Sequence, residues 1–117
     1  MNIESLREYC LNKPLAEETL PFDDDVLVFK VGGKAFALAS IAAGNRVNLK
    51  CDPEKAIILR EDYLSIDPGV HMNKKHWNTI HFNGDADDNL IRSLIDHSYS
   101  LVVISLSKKL KKELFNN

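Results

Sequence analysis

Val26-Leu27-Val28-Phe29-Lys30-Val31-Gly32-Gly33-Lys34-Ala35-Phe36-Ala37-Leu38-Ala39 decides the fold of this 117-residue chain. Two apolar runs flank a glycine pair, and glycine takes the positive φ angles that a two-residue hairpin turn demands. Such a turn sets Val31 against Lys34, Phe29 against Phe36 and Leu27 against Leu38. The large apolar side chains then share one side, expected to face the core. Val28, Lys30, Ala35 and Ala37 make the smaller, partly solvated side.

Outward from the hairpin, Ala42 to Asn45 reads as a turn, and Arg46-Val47-Asn48-Leu49-Lys50-Cys51 alternates. Val47, Leu49 and Cys51 point one way and Arg46, Asn48 and Lys50 the other, a half-buried strand with a basic outer side. Asp52-Pro53 then starts a helix that fades near Glu61, with Asp52 as N-cap and Pro53 in the first turn. Pro68-Gly69 marks a turn. Asn78 to Phe82 alternates again, with Ile80 and Phe82 opposed to Trp77, Thr79 and His81. After Asn83-Gly84, Asp85 or Asp87 caps a long helix whose stripe runs through Leu90, Ile91, Leu94, Ile95, Tyr99 and Val102. Residues 99–106 fit a buried strand equally well by periodicity, and helix is preferred because the stripe continues without a breaker. Upstream, Ile3, Leu6, Cys10 and Leu11 give a short helix stopped by Pro14, and Thr19 to Phe22 a short strand before Asp23-Asp24-Asp25. Ser107 to Lys112 opens a basic turn or short helix. The pattern predicts one α+β domain over residues 1–117, an antiparallel sheet packed against helices.

Apolar residues make up 44% of the chain and charged residues 27%, which suits one hydrophobic core without metal or disulfide support. Cys10 and Cys51 lack metal-ligand spacing and read as reduced packing residues of a cytoplasmic protein, a disulfide being the lesser alternative. Glu4, Arg7 and Glu8 do not suit a secretory leader, and no apolar stretch reaches the roughly 18–20 residues that span a bilayer. The net charge of −2 argues against a strongly basic surface overall. Its distribution is uneven: seven acids oppose two bases through residue 29, and thirteen bases oppose ten acids thereafter. A basic face on an acidic molecule is therefore open.

The densest chemistry lies in His71-Met72-Asn73-Lys74-Lys75-His76-Trp77-Asn78-Thr79, which joins the single tryptophan to two lysines, two histidines and two asparagines. Lysines neutralise phosphates and an aromatic face stacks on or wedges between bases. Lys30, Lys34, Arg46, Lys50 and Arg60 are candidate phosphate contacts, and Asn73 and Asn78 candidate readers of base edges. The bland alternative keeps Trp77 in the core, the lysines in solvent and the asparagines shaping a turn. His71, His76 and His81 recur every five residues, a spacing that alternates faces in a strand and turns about 140° in a helix, so no common metal site is expected. No phosphate loop, dinucleotide fingerprint or nucleophile elbow is present, so no enzyme is expected.

The chain resembles the MmcQ/YjbR family of small bacterial proteins. The resemblance rests on Leu20-Pro21-Phe22, on Phe29 to Leu38, on Asn48-Leu49-Lys50-Cys51-Asp52-Pro53-Glu54 and on Leu59-Arg60-Glu61. It continues through the His71-to-Thr79 stretch and Ser98-Tyr99-Ser100-Leu101-Val102-Val103. Asp23 to Asp25 depart from it where relatives more often carry glycine, and Ser107 departs where proline is common. The resemblance implies a frataxin/CyaY-like, double-wing α+β fold and a DNA-binding label that rests on fold analogy. Frataxin-like iron binding through Glu17, Glu18 and Asp23 to Asp25 is not expected, because an acidic run without a defined oxygen cage is ordinarily a solvated loop.

These readings together predict a cytoplasmic, monomeric, non-enzymatic protein that binds double-stranded DNA without cofactor or metal. The predicted contact set is Lys30, Lys34, Lys50, Arg60, Asn73, Lys74, Lys75, His76 and Trp77, centred on Lys74, Lys75 and Trp77. The alternative is a protein-interaction or small-ligand module with a pocket between the sheet and residues 71–77. Lys108 to Lys112 are a weaker cue, since lysines near a helix C-terminus also answer the helix dipole.

Overall fold

Alternating strands and periodic helices assemble as the sequence pattern requires in a computed structural model that describes residues 1–20, 25–69 and 72–115. The strands are β1 (Glu17–Thr19), β2 (Val26–Val31), β3 (Lys34–Ser40), β4 (Arg46–Lys50), β5 (Ile66–Pro68) and β6 (Trp77–His81). They form one sheet in the order β1-β2-β3-β4-β6-β5, antiparallel at every pairing. The helices are α1 (Ile3–Leu11), α2 (Pro53–Asp62), α3 (Asp88–Ser105) and α4 (Lys108–Phe115). The chain is thus an α+β domain, and residues 99–105 are helical as the unbroken stripe suggested.

Strand parity decides where the core lies. Leu27, Phe29, Val47, Leu49, Ile66 and Ile80 are all buried on one side of the sheet. Leu59 of α2 and Leu94 of α3 meet Leu49 and Ile80 there, and Leu6 and Cys10 of α1 belong to the same cluster. Burying each large aliphatic side chain stabilises the fold by roughly 1.5–3 kcal/mol. The phenol of Tyr9 donates to Asp96 of α3 at 2.8 Å, joining two helices on that side. Helices α1, α2 and α3 therefore cover one face, and no described helix covers the other, the bare face, although its Val28 and Thr79 are each only 2% exposed. Short α4 sits at the end of the hairpin, where Leu106 and Leu110 press against Gly32.

The helix starts follow local chemistry. Asn2 and Ser5 form a capping box for α1, Asp52 accepts from the Lys55 amide ahead of Pro53, and Asp87 caps α3 through the Leu90 amide at 2.8 Å. Asp85, the other candidate, instead accepts from the amides of Leu64 and Ser65 at 2.7 and 2.9 Å and so fixes the approach to β5. Ser107 caps α4 through the Leu110 amide.

Three expectations need correction. First, the hairpin turn holds, with φ of 58° at Gly32 and 80° at Gly33, and so does the pair Val31–Lys34, but the register then shifts between Phe29 and Lys30. Phe29 pairs with Ala37 and Leu27 with Ala39. Phe36 is the extra residue of a β-bulge, so Phe36, Ala37 and Ala39 are all buried and Leu38 moves to the bare face. A bulge interrupts the hydrogen-bond ladder, and Ser98 of α3 repairs it. Its hydroxyl, fully buried, donates to the Phe36 carbonyl at 2.6 Å and accepts from the Lys50 amide at 2.9 Å. The Phe36 ring meets Tyr99 edge-on, with centroids 5.3 Å apart.

Second, Ile66–Pro68 is an edge strand where a turn was expected. Proline is tolerated there because an edge strand has one side of its backbone unpaired. Third, the strand near Thr19 covers Glu17–Thr19. Pro21, Phe22, Asp23 and Asp24 lie outside the described residues, as do Val70 and His71.

Replacing the Ser98 hydroxyl tests the bulge account. Ser98→Ala leaves a buried carbonyl and a buried amide without partners and is expected to lower stability by about 1–3 kcal/mol. Urea unfolding measures it, and an unchanged midpoint contradicts the bridging role.

Candidate nucleic-acid interface

The bare face of the sheet is read from strand parity. On β4 it carries Arg46, Asn48 and Lys50, and on β6 it carries Trp77, Thr79 and His81. The register sets Lys50 directly across from Trp77, Asn48 across from Thr79 and Arg46 across from His81. Thr79 donates its hydroxyl to the Asn48 carboxamide, which binds the two strands together on that side. Lys30 of β2 lies on the same face, opposite Glu17. His81 is paired with Asp67 at 3.0 Å. Among the described residues Lys50, at the corner with Trp77, forms no ion pair.

The approach to that corner is a hydrogen-bonded turn. Asn73 accepts through its side-chain oxygen from the Lys75 amide at 2.9 Å, and through its carbonyl from the amides of His76 and Trp77 at 3.1 and 3.0 Å. An asparagine that bonds the backbone two residues on is a turn former. The His76 carbonyl takes the Cys51 amide at 2.7 Å and extends the β4–β6 pairing. On the other side, the Gly69 amide donates to the Trp77 carbonyl at 2.8 Å. A Cβ added at Gly69 would stand 2.8 Å from the Trp77 Cβ and 3.1 Å from its carbonyl oxygen, so only glycine permits this approach.

Arg60 locks the turn from the helix side. Its Nε donates to the Asn78 side-chain oxygen at 2.6 Å, one terminal nitrogen donates to the Lys74 carbonyl, and the same nitrogen reaches the Trp77 carbonyl at 3.4 Å. Asn78 is 2% exposed, and its amide group donates to the Ala56 carbonyl of α2 at 3.5 Å. Burial at that depth requires such partners.

The predicted contact residues consequently divide. Lys30, Lys50 and Trp77 share the bare face; Asn73, Lys74, Lys75 and His76 form the turn beside it. Lys74 and Lys75 are exposed and have no ion pair or hydrogen bond through their ammonium groups among the described residues. Trp77 is half-buried, between the core reading and the fully displayed one. Arg60 and Lys34 leave the set. The Arg60 guanidinium is occupied by the turn, and Lys34 lies on the helix side, donating to the Ser105 carbonyl at the end of α3 at 3.3 Å. The oxygens of Asn73 and Asn78 are engaged within the protein, which removes the expected base-edge readers.

The sequence reading missed exposed apolar residues on α2 and beyond it: Ile57 is 54% exposed, Ile58 56% and Leu64 95%. The signal was available, because Ala56-Ile57-Ile58-Leu59 puts apolar groups around a full helical turn that buries only one side. A cavity under α2, lined by Leu49, Cys51, Leu59, Asn78 and Ile80, measures only about 10 Å³. That is barely the space of one water, so this cavity holds no small ligand, and it is not the pocket expected between the sheet and residues 71–77, none of which line it. Among the described residues no group of three or more His, Cys, Asp or Glu is placed to hold a metal, and no helix is long and apolar enough to cross a membrane. Both thiols are free and buried, and burial pushes Cys10 up to about 12 and raises Cys51 as well, so neither is a ready nucleophile.

The YjbR family model matches residues 11–101. YbdF of Escherichia coli O157:H7 is 40% identical over 112 residues, covering 95% of this chain and 92% of its own. YjbR of Escherichia coli K12 is 36% identical over 116 residues, covering 97% and 98%. Both are themselves uncharacterized. The crystal structure of DR2400 from Deinococcus radiodurans superposes with a TM-score of 0.90 at 41% identity, over 96% of this chain and 86% of that one. A crystal structure from Pseudomonas syringae gives 0.75 at 31% identity, over 87% and 99%.

The glycine requirement at the corner is directly testable. Gly69→Ala forces a methyl group onto Trp77 and is expected to lower stability by about 1–3 kcal/mol, as overpacking does. A denaturation midpoint equal to that of the parent chain contradicts the close approach.

Proposed function

The chain belongs to the YjbR family, and from that premise we propose that it is a DNA-binding protein that catalyses no reaction, with the Lys50–Trp77 corner and the Asn73–His76 turn as its contact surface. The observation that carries the proposal is Lys50 set across from the only tryptophan on a sheet face that no described helix covers, with exposed Lys74 and Lys75 in the turn that leads into Trp77. Free ammonium groups bind phosphates by releasing condensed counterions, and this works locally even on a molecule of net charge −2. Lys30 and Arg46 share the face, but Lys30 lies opposite Glu17 and Arg46 beside the His81–Asp67 pair, so they add less. The buried, protonated thiols suit a binding role better than covalent chemistry. A monomer in the reducing cytoplasm fits the two free cysteines.

A second reading has its own observation. Ile57, Ile58 and Leu64 are an exposed apolar group, and Asp85 fixes the Leu64 backbone by accepting its amide. Exposed aliphatic side chains of this kind are ones a protein partner covers. On that reading the protein meets another polypeptide through α2 and has no nucleic-acid role.

Anisotropy of labelled DNA across a salt series separates the two. Binding in the micromolar range that weakens steeply with salt is expected, and removing both turn lysines (Lys74→Ala with Lys75→Ala) reduces the log–log slope by about two. Absence of binding at low salt eliminates the DNA proposal and leaves the α2 surface.

A further inference from the structure

We infer that the Trp77 corner takes single-stranded rather than duplex DNA, an inference that rests on the DNA-binding proposal and narrows it. Duplex recognition needs an element narrow enough to enter a groove, and the major groove is about 12 Å wide. Six strands at their usual spacing span roughly 24 Å, so the bare face rides over a duplex without reaching base edges. Trp77 occupies a strand position on that face and not the tip of a loop. It is half-buried, held against Gly69 on one side and facing Lys50 on the other. A tryptophan so placed is no wedge for prising apart stacked base pairs, but it is accessible to a base that is already unpaired.

The surrounding groups fit the same ligand. Lys50 beside the ring, and Lys74 and Lys75 on the adjoining turn, are disposed to follow a flexible phosphate chain past the stacking position. Reading adenine edge-on requires both the oxygen and the nitrogen of a carboxamide. Asn73 and Asn78 have their oxygens bonded to the Lys75 amide and to Arg60. The site is therefore tolerant of sequence, as stacking on a π-face is and groove reading is not.

The single tryptophan makes the test direct, because intrinsic fluorescence reports on Trp77 alone. The full chain is titrated at low salt with a short oligothymidine strand and with its duplex, following end-label anisotropy for binding and indole emission for stacking. The single strand is expected to bind at least about ten-fold tighter and to quench the emission, with the duplex leaving it nearly unchanged. Trp77→Leu is expected to lose about ten-fold or more in single-strand affinity, with Trp77→Phe losing less, consistent with the worth of one stacked base. If Trp77→Leu no longer melts cooperatively, the quench in the parent chain decides. Duplex bound as tightly as the single strand, or a single strand bound without quenching, overturns the single-strand assignment while DNA binding stands. No binding of either removes both.

Discussion

The contact between Arg60 and Asn78 is the constraint on which the presentation of the candidate surface depends. Asn78 points into the core side of β6 at 2% exposure, where an unpartnered carboxamide would cost about 1–3 kcal/mol. Arg60 supplies a charge-assisted hydrogen bond to it, and its second donor group takes the Lys74 carbonyl. One side chain thereby fixes helix α2 to β6 and clamps the turn that carries Lys74 and Lys75. The same fork reaches the Trp77 carbonyl. A cation on the helix side thus sets the geometry of the turn that carries Lys74 and Lys75.

That division of labour follows from strand parity. Side chains on β4 and β6 alternate between the helix-covered face and the bare one, so the core residues Val47, Leu49 and Ile80 force Lys50, Arg46 and Trp77 outward. The basic corner is in this sense a by-product of building the core, and its composition is free to be chosen for contact. The acids that give the molecule its net charge of −2 lie partly elsewhere, with Glu18 bound to Arg7 and Asp96 to Lys13 and Tyr9.

Much of this was legible in the sequence. The alternation of Arg46 to Cys51 and of Asn78 to Phe82 assigned faces correctly, and Asp52-Pro53 marked the start of α2. Even the separation of Lys34 from Lys30 was implicit, since the hairpin turn opposes Lys34 to buried Val31. The bulge at Phe36 was not legible, because it is stabilised by a serine hydroxyl 62 positions away. Three-residue β5 was hidden in an Asp-Pro-Gly signal and exists because β6 offers an edge to pair with. The role of Arg60 was equally hidden: nothing local distinguishes an arginine that seeks phosphate from one whose acceptors lie on a distant strand. Seven of the nine named residues lie on the face or in the adjoining turn because parity and chain neighbourhood are local, and Arg60 and Lys34 lie elsewhere because packing is not.

Hydrogen exchange at the backbone amides of His76 and Trp77, compared between the parent chain and Arg60→Ala, tests the clamp most directly. Both amides are bonded to the Asn73 carbonyl and should be protected in the parent. The account predicts that Arg60→Ala accelerates their exchange while the β2–β3 hairpin amides keep their protection. Unchanged protection at His76 and Trp77 in a folded Arg60→Ala would contradict it.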